Sequence, residues 1–303
     1  MVFSKSGKLI TGGIVRMIDL HNHLLPGLDD GARDIEESVK MCWISYKDGV
    51  RTIVATPHTL NGVYRNDRDT ILLKVQELNQ VVSVRLSVLI NRVDAKTSRP
   101  NELNGPNGSN DPNGLNGHNA STHPRINALR ILPGADVHLT EKTLPFLDEG
   151  KLMTVGDGKK FLFIEFPYQM IPYRAEEVLF QLMSRGVIPI ITHPERNLEI
   201  GQRPQRYYEM IKMGCLGQVT AMSLTGEFGL RIRQIGERLL KNRLIHFIAS
   251  DAHSTNGRPP VLSEGVRAAG RIVGEGEAWK MVMDYPQAVL KGLKPEFPDP
   301  LHP

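Results

Sequence analysis

Several classes of protein are excluded by what this 303-residue chain lacks. Its two cysteines are too few for a disulfide scaffold or a cysteine-rich zinc module, which favours a cytoplasmic setting. No apolar run approaches the ~20 residues that a membrane-spanning helix needs, and the first residues lack the apolar core of a signal peptide. The 37 lysines and arginines are scattered rather than grouped, which argues against nucleic-acid binding.

One segment has an unusual repeat. Between Ser98 and Asn119, asparagine recurs at every third position, with Gly or Pro in most of the gaps. These residues favour turns and offer no apolar face. The repeat predicts a disordered Asn/Gly-rich insertion over 98–119, with His118 and His123 as solvated loop residues.

The rest of the chain alternates between short apolar runs and segments with apolar residues at helical spacing. Near-continuous apolar strands that alternate with amphipathic helices indicate a parallel sheet covered by helices. Seven such strands favour a distorted, closed or nearly closed β/α barrel in a single domain, and no Gly-x-Gly-x-x-Gly motif follows the first strand to support a Rossmann fold. The predicted strands are Ile14–Asp19, Thr52–Thr56, Arg130–Val137, Phe161–Phe166, Val187–Thr192, Gly217–Met222 and Leu244–Ser250.

Histidines and carboxylates lie where these strands end. Six of the ten histidines occupy such positions, and in a β/α barrel the carboxyl ends of the strands converge on one face. His21 and His23 are two residues apart, so both rings point to the same side of extended backbone. The candidate ligands are His21, His23, Asp30, His58, Asp136, Glu165, His193, Asp251 and His253.

This donor set predicts a multinuclear metal site. Five imidazoles and four carboxylates exceed what one ion can bind, so we expect two or three ions. The mixture suits Mn, Fe or Zn, and clustered metals polarise phosphoryl oxygens and activate water for hydrolysis. Arg196 and Arg258 are candidate phosphate clamps, with surface ion pairs as the alternative. Tyr168 and Tyr173 either wall a pocket for an aromatic group or pack in the core.

Thiolate catalysis does not fit the cysteine spacing. A cysteine-dependent tyrosine phosphatase needs an arginine six positions after its cysteine, but those positions hold Asp48 after Cys42 and Ala221 after Cys215. Cys42 lies in an apolar helical face and is expected to be buried.

These motifs resemble the polymerase-and-histidinol-phosphatase (PHP) superfamily. Within it, the chain is similar to the manganese-dependent protein-tyrosine phosphatases of bacterial capsule and exopolysaccharide operons, over roughly residues 17–292. The motifs that carry the resemblance are Asp19-Leu-His-Asn-His23, Asp29-Asp30-Gly31, His58, Ile164-Glu165-Phe166, Pro172-Tyr-Arg174, His193-Pro-Glu-Arg196, Asp251-Ala-His253 and Gly257-Arg-Pro-Pro260.

The resemblance implies a seven-stranded barrel over 17–292 with a trinuclear manganese site, an N-terminal extension (1–16) and a C-terminal tail (293–303). It assigns one ion to His21, His23, Asp136 and Asp251, a second to Asp136, Glu165 and His193, and a third to Asp30, His58 and His253. Arg196 and Arg258 match the family's phosphate-contacting arginines. A metal-bound hydroxide would attack phosphorus, and the substrate would be a phosphotyrosine protein, with a bacterial tyrosine kinase as the expected partner.

Two features depart from the family pattern. Asp136 stands where the family carries Glu as the bridging carboxylate, and His138 nearby is either an extra ligand or a residue that orients one. Family members commonly begin at the residue equivalent to Met17, so the start is either Met1 or Met17. The alternatives to a tyrosine phosphatase are a small-metabolite phosphatase of histidinol-phosphatase type and a non-catalytic partner of a tyrosine kinase. The sequence leaves open whether the chain forms a homo-oligomer.

Overall fold

The computed structural model describes residues 16–97 and 129–303, together with a short antiparallel pair, β1 (Val2–Phe3) and β2 (Leu9–Ile10). The predicted insertion 98–119, His118 and His123 lie outside the described residues, as does most of the predicted extension 1–16. These predictions therefore stay predictions.

Parallel strands form two sheets. The first has three strands in the order β3–β4–β6, namely β3 (Met17–Asn22), β4 (Val50–Ala55) and β6 (Arg130–Pro133). The second has six strands in the order β11–β10–β9–β8–β7–β5. Its members are β5 (His58–Thr59), β7 (Asp136–His138), β8 (Phe161–Glu165), β9 (Ile188–Thr192), β10 (Leu216–Thr220) and β11 (Phe247–Ala249). Every pairing in both sheets is parallel.

The two sheets are joined through chain continuity, because β4 leads into β5 and β6 leads into β7. The predicted strand Arg130–Val137 is thus two strands, broken at Gly134 and Ala135. A Cβ at Gly134 would lie 2.6 Å from Cγ1 of Val54, so only glycine lets the link between β6 and β7 pass this close to β4. The α/β class and the parallel pairing are confirmed, but the hydrogen-bonded strands of the described residues form no closed sheet.

Helices cover the strands. They are α1 (Ile35–Asp48), α2 (Arg68–Thr97), α3 (Thr143–Asp148), α4 (Ala175–Ser184), α5 (Leu198–Gln202), α6 (Gln205–Met213), α7 (Ala221–Thr225), α8 (Leu230–Lys241), α9 (Ser263–Val273), α10 (Glu275–Lys280) and α11 (Asp284–Leu290). The Asp34 side chain accepts a hydrogen bond from the Glu37 N–H at the start of α1, a cap worth about 1 kcal/mol. No helix in the described part of the chain is long and apolar enough to cross a membrane.

Strand β3 places polar side chains in the core of the protein. All six residues of this strand are buried, including Asp19, His21 and Asn22. Asp19 accepts hydrogen bonds from the Ser250 N–H at 2.9 Å, the Ser250 hydroxyl at 2.5 Å and the Asn22 amide at 3.0 Å. Burial raises the pKa of Asp19 even though these hydrogen bonds oppose it. Asp19 therefore ties β3 to the segment that follows β11.

We expect Asp19→Ala to lower the free energy of unfolding by about 3 kcal/mol, because it leaves the buried Ser250 N–H unpaired and removes the charged acceptor of the Ser250 hydroxyl and the Asn22 amide. Urea denaturation of the chelator-treated protein measures this loss. The matched control is Asp69→Ala, since Asp69 is 91% exposed. Equal stabilities of the two variants would contradict a structural role for Asp19.

Candidate metal centre

The side chains predicted as metal ligands lie together at the carboxyl ends of the parallel strands. Four belong to strands, namely His21 (β3), His58 (β5), Asp136 (β7) and Glu165 (β8). Five follow strands, namely His23, Asp30, His193, Asp251 and His253. The fold thus brings together all nine residues, although 232 positions separate the first from the last (253 minus 21).

Their donor atoms form three overlapping groups. Within each group the atoms lie within 4.8 Å of one another, and the groups are His23, Asp30, His58 and His253; His21, His23 and Asp136; and His58, Asp136 and Glu165. The remaining two ligands border these groups, with 3.5 Å from His21 Nε2 to Asp251 Oδ1 and 3.6 Å from His193 Nε2 to Glu165 Oε1. Two donors that bind one ion at about 2.1 Å lie roughly 3.0–3.5 Å apart, so these spacings suit divalent cations.

Two buried atoms of the candidate ligands have no hydrogen-bond partner among the described residues. They are Oδ2 of Asp136 and Nδ1 of His58, which lie 3.5 Å apart. The other oxygen of Asp136 accepts a hydrogen bond from the Thr192 hydroxyl at 3.0 Å. A buried, unpaired carboxylate oxygen is costly unless a cation compensates it. The residues present therefore fit a bound metal.

Three of the histidines are held through Nδ1, which leaves Nε2 facing the cluster. His21 Nδ1 lies 2.9 Å from Oε1 of Gln218, and His23 Nδ1 lies 2.6 Å from Oδ2 of Asp29. His253 Nδ1 contacts the Asp251 carbonyl at 2.9 Å. Such contacts fix the ring orientation and the tautomer of a metal ligand.

The pKa values of His21, in β3, and of His23, just after this strand, are shifted in opposite directions. Burial lowers the pKa of His21 to about 4, so its ring is neutral at pH 7. Burial also disfavours a charge on His23, but the carboxylates of Asp29 and Asp251 outweigh it and raise the pKa of His23 to about 10. The Nε2 atoms of the two rings lie 3.0 Å apart, so protonated His23 donates to neutral His21. A cation bound here would replace that proton.

Glu165 stays ionised despite its position at the end of an apolar strand. Burial opposes ionisation, but contacts with His138 at 3.3 Å and His58 at 3.4 Å keep the pKa of Glu165 below its usual range. His138 thus touches a predicted ligand, and a direct role for it in metal binding stays a prediction.

The two arginines converge on Asp251. The Arg196 and Arg258 guanidinium groups both donate a hydrogen bond to Oδ2 of Asp251. Burial alone would raise the pKa of Asp251, but the charges of Arg196 and Arg258 hold it well below its usual range. The Nε atoms of both arginines are buried and have no partner in the described part of the chain. Both guanidinium groups thus lie beside Asp251 at the edge of the cluster, which suits an anionic ligand.

A cavity of about 470 Å³ opens over the cluster. Its polar lining includes His193, Arg196 and Arg258, and its apolar lining is Phe166, Tyr168, Phe228 and Ile232. Tyr168 thus lines the pocket, as one of the two sequence interpretations had it. Tyr173 is 92% exposed and is neither in the core nor in the cavity lining.

The cysteines take no part in this site. Cys42 and Cys215 are both buried and neither lines the cavity. Burial raises the pKa of Cys42 and raises that of Cys215 to about 12, so both are thiols at neutral pH. The prediction that Cys42 is buried is confirmed.

Comparisons with known proteins agree with this geometry. A family model described as capsular polysaccharide synthesis, CpsB/CapC, matches residues 17–89 and 115–291. The chain belongs to the CpsB/CapC family. It is 34% identical over 242 residues to the tyrosine-protein phosphatase YwqE of Bacillus subtilis, and the aligned region covers 80% of this chain and 79% of YwqE. It is 26% identical over 280 residues to the tyrosine-protein phosphatase CpsB of Streptococcus agalactiae serotype III, which covers 91% of this chain and 98% of that protein.

A solved structure gives the same result for this CpsB/CapC chain. It comes from work on YwqE of Bacillus subtilis and CpsB of Streptococcus pneumoniae, described as unique metal-dependent tyrosine phosphatases. The match has a TM-score of 0.76 and 29% sequence identity, and it covers 94% of this chain and 98% of the other.

Sequence reasoning missed several side chains that shape the site. Gln218 and Phe228 were not singled out, and Asp29 was noted only as part of a motif. Gln218 had a detectable signal, because it is a polar residue within the buried strand β10. Phe228 had none, since it lies in a loop between two helices.

We expect Gln218→Leu to weaken binding of Mn²⁺ by about 10- to 100-fold, because His21 loses the partner that holds its tautomer. Isothermal titration calorimetry with Mn²⁺ on the chelator-stripped protein measures the change. Gln205→Leu, at an exposed position in α6, is the control. Unchanged affinity in Gln218→Leu would show that this contact does not orient His21 for metal.

Proposed function

We propose that this chain is a metal-dependent tyrosine-protein phosphatase that hydrolyses phosphotyrosine in proteins. The observation that carries the proposal is the convergence on Asp251, where one oxygen faces the histidines and the other holds both arginines. Cations and guanidinium donors on the phosphoryl oxygens both stabilise the charge that develops when a phosphate monoester is hydrolysed. The names of the CpsB and YwqE relatives support the same reaction.

We further propose that two or three ions bind, with Mn²⁺ as the expected metal and Fe or Zn as acceptable alternatives. One ion would use His21, His23, Asp136 and Asp251, a second Asp136, Glu165 and His193, and a third Asp30, His58 and His253. The spacings support this division with two exceptions. His23 also groups with the third set, and His58 also lies 3.4 Å from Glu165 and 3.5 Å from Asp136. His58 is therefore also placed to complete the second set.

Bound ions of this kind supply Lewis acidity and an activated water. The protein's own residues then bind and orient the ester. Arg196 and Arg258 line the cavity over the cluster, which points to these residues as the phosphoryl clamp, and their bonds to Asp251 fix both guanidinium groups beforehand. A phenolate leaving group, with a pKa of about 10, departs with little need for a general acid.

A distorted barrel over 17–292 is also a proposal. An isolated bridge between Asn22 and Ala252 supports closure, because it brings the end of β3 beside the segment after β11. The tail 293–303 packs on this unit, with Phe297 against His246 at 4.4 Å between ring centroids and the Leu301 N–H bonded to the Asn242 carbonyl. A tyrosine kinase as substrate, a cytoplasmic location and a role in capsule or exopolysaccharide assembly belong to the same proposal and rest on the family membership and the composition.

We expect chelation to abolish phosphate release from a phosphotyrosyl peptide and added Mn²⁺ to restore it. Histidinol phosphate, assayed in parallel, should be hydrolysed at least 100-fold more slowly by kcat/KM. His193→Ala should remain inactive after Mn²⁺ is added, because it removes a donor 3.6–3.7 Å from Glu165 and Asp136.

His302→Ala is the matched histidine control, since His302 is exposed in the C-terminal tail. Preferred turnover of histidinol phosphate would move the assignment to a metabolite phosphatase. Absence of turnover on both substrates with metal bound would support a non-catalytic partner of a kinase.

Arg258→Lys should lower kcat/KM for the phosphotyrosyl peptide by about 10²–10³-fold, because an ammonium group cannot hold Asp251 and phosphate with one planar fork. Metal content by mass spectrometry should stay at the wild-type value. Arg267→Lys, at a side chain that is 63% exposed, controls for loss of a guanidinium elsewhere. Wild-type activity in Arg258→Lys would exclude this arginine from the clamp.

A further inference from the structure

Phe228 lies at the rim of the proposed catalytic cavity in a conformationally restricted loop. The loop joins α7 to α8, and glycines flank Phe228 at positions 226 and 229 with φ of 97° and 90°. Residues other than glycine rarely adopt such φ angles. The Gly229 N–H donates to the Gly226 carbonyl at 2.8 Å, and this hydrogen bond closes the turn that carries Phe228.

The Phe228 ring contacts both arginines of the proposed clamp. Its centroid lies 5.5 Å from the guanidinium carbon of Arg196 and 5.8 Å from that of Arg258, within the range of cation–π attraction. The three side chains form one continuous piece of the cavity wall. A phosphoryl group held by these arginines therefore lies beside the Phe228 ring.

The cavity beside the arginines is suited to an aromatic substituent. Tyr168 and Ile232 line it together with Phe228. Aromatic rings attract one another in offset or edge-to-face arrangements with centroids 4.5–7 Å apart. A short alkyl substituent would gain neither this contact nor comparable burial of apolar surface.

We infer that Phe228 is the specificity-determining residue that makes the site prefer aryl phosphates over alkyl phosphates, by contact with the phenyl ring of phosphotyrosine. This inference rests on the proposed function. It assigns Phe228 a contact with the substrate's ring, in addition to its packing on the arginines.

Substitution of Phe228 should leave the fold intact. The side chain is only partly buried, and it also lines a second surface cavity with residues such as Met222 and Pro259. A smaller side chain at this position therefore enlarges an open space and does not leave a void in the core.

The test compares Phe228→Leu with the wild type, both loaded with Mn²⁺. Competitive inhibition constants are measured for phenylphosphonate, methylphosphonate and inorganic phosphate, which share the anionic head and differ in the substituent. We expect the wild type to bind phenylphosphonate more tightly than methylphosphonate and Phe228→Leu to lose about tenfold of that preference. Affinity for inorganic phosphate should change by less than about twofold, and Phe228→Trp should retain the preference.

Phe180→Leu is the matched control, because Phe180 is 59% exposed in α4 and does not line the cavity. An unchanged preference in Phe228→Leu would overturn the inference. Equal losses for all three inhibitors would also overturn it, since Phe228 would then act only by positioning the arginines. The proposed function fails separately, if the Mn²⁺-loaded wild type releases no phosphate from a phosphotyrosyl peptide.

Discussion

The two oxygens of the Asp251 carboxylate serve different halves of the site, and the rest of the arrangement depends on this division. Oδ1 lies 3.5 and 3.4 Å from the Nε2 atoms of His21 and His23, while Oδ2 accepts from both arginines. The distance between the proposed metal ligands and the proposed phosphate-binding arginines is thus set by one small, rigid group. If Asp251 moved, both halves would move with it, so its placement requires firm support from the backbone.

That support comes at a conformational cost. Asp251 and His193 have φ of 50° and 33°, which for residues other than glycine costs about 1–3 kcal/mol each. The Asp251 N–H donates to the His21 carbonyl, and Asp19 binds the preceding Ser250, so β3 holds this turn from two directions. Both unfavourable turns directly follow parallel strands, where a change of direction aims the side chain across the open end of the sheet. These unfavourable φ angles persist because the neighbouring strands hold the backbone in place.

The location of the nine candidate ligands at the ends of strands was predictable from the sequence, but the distances between them were not. Apolar runs followed by His or Asp marked the strand ends, because burial of a parallel sheet leaves a clear periodic signal. The sequence could not show that β5 begins at His58 or that the predicted third strand breaks at Gly134, since both depend on contacts with neighbouring strands. Gln218 and Phe228 take their roles only from side chains distant in the chain, and one sequence carries no record of that proximity.

The resemblance to the PHP superfamily expects Glu at the position of Asp136, and the geometry of this structure accommodates the shorter side chain. Its Oδ2 lies 3.6, 3.5 and 3.7 Å from nitrogens of His21, His58 and His193, so the shorter side chain already reaches the middle of the cluster. The Thr192 hydroxyl, at the end of β9 and two strands away in the sheet, donates to Oδ1 and fixes the carboxylate plane. A side chain longer by one methylene would move the carboxylate away from this hydroxyl. The pairing of Asp136 with Thr192 therefore compensates for the shorter reach and keeps a carboxylate oxygen at the centre of the site.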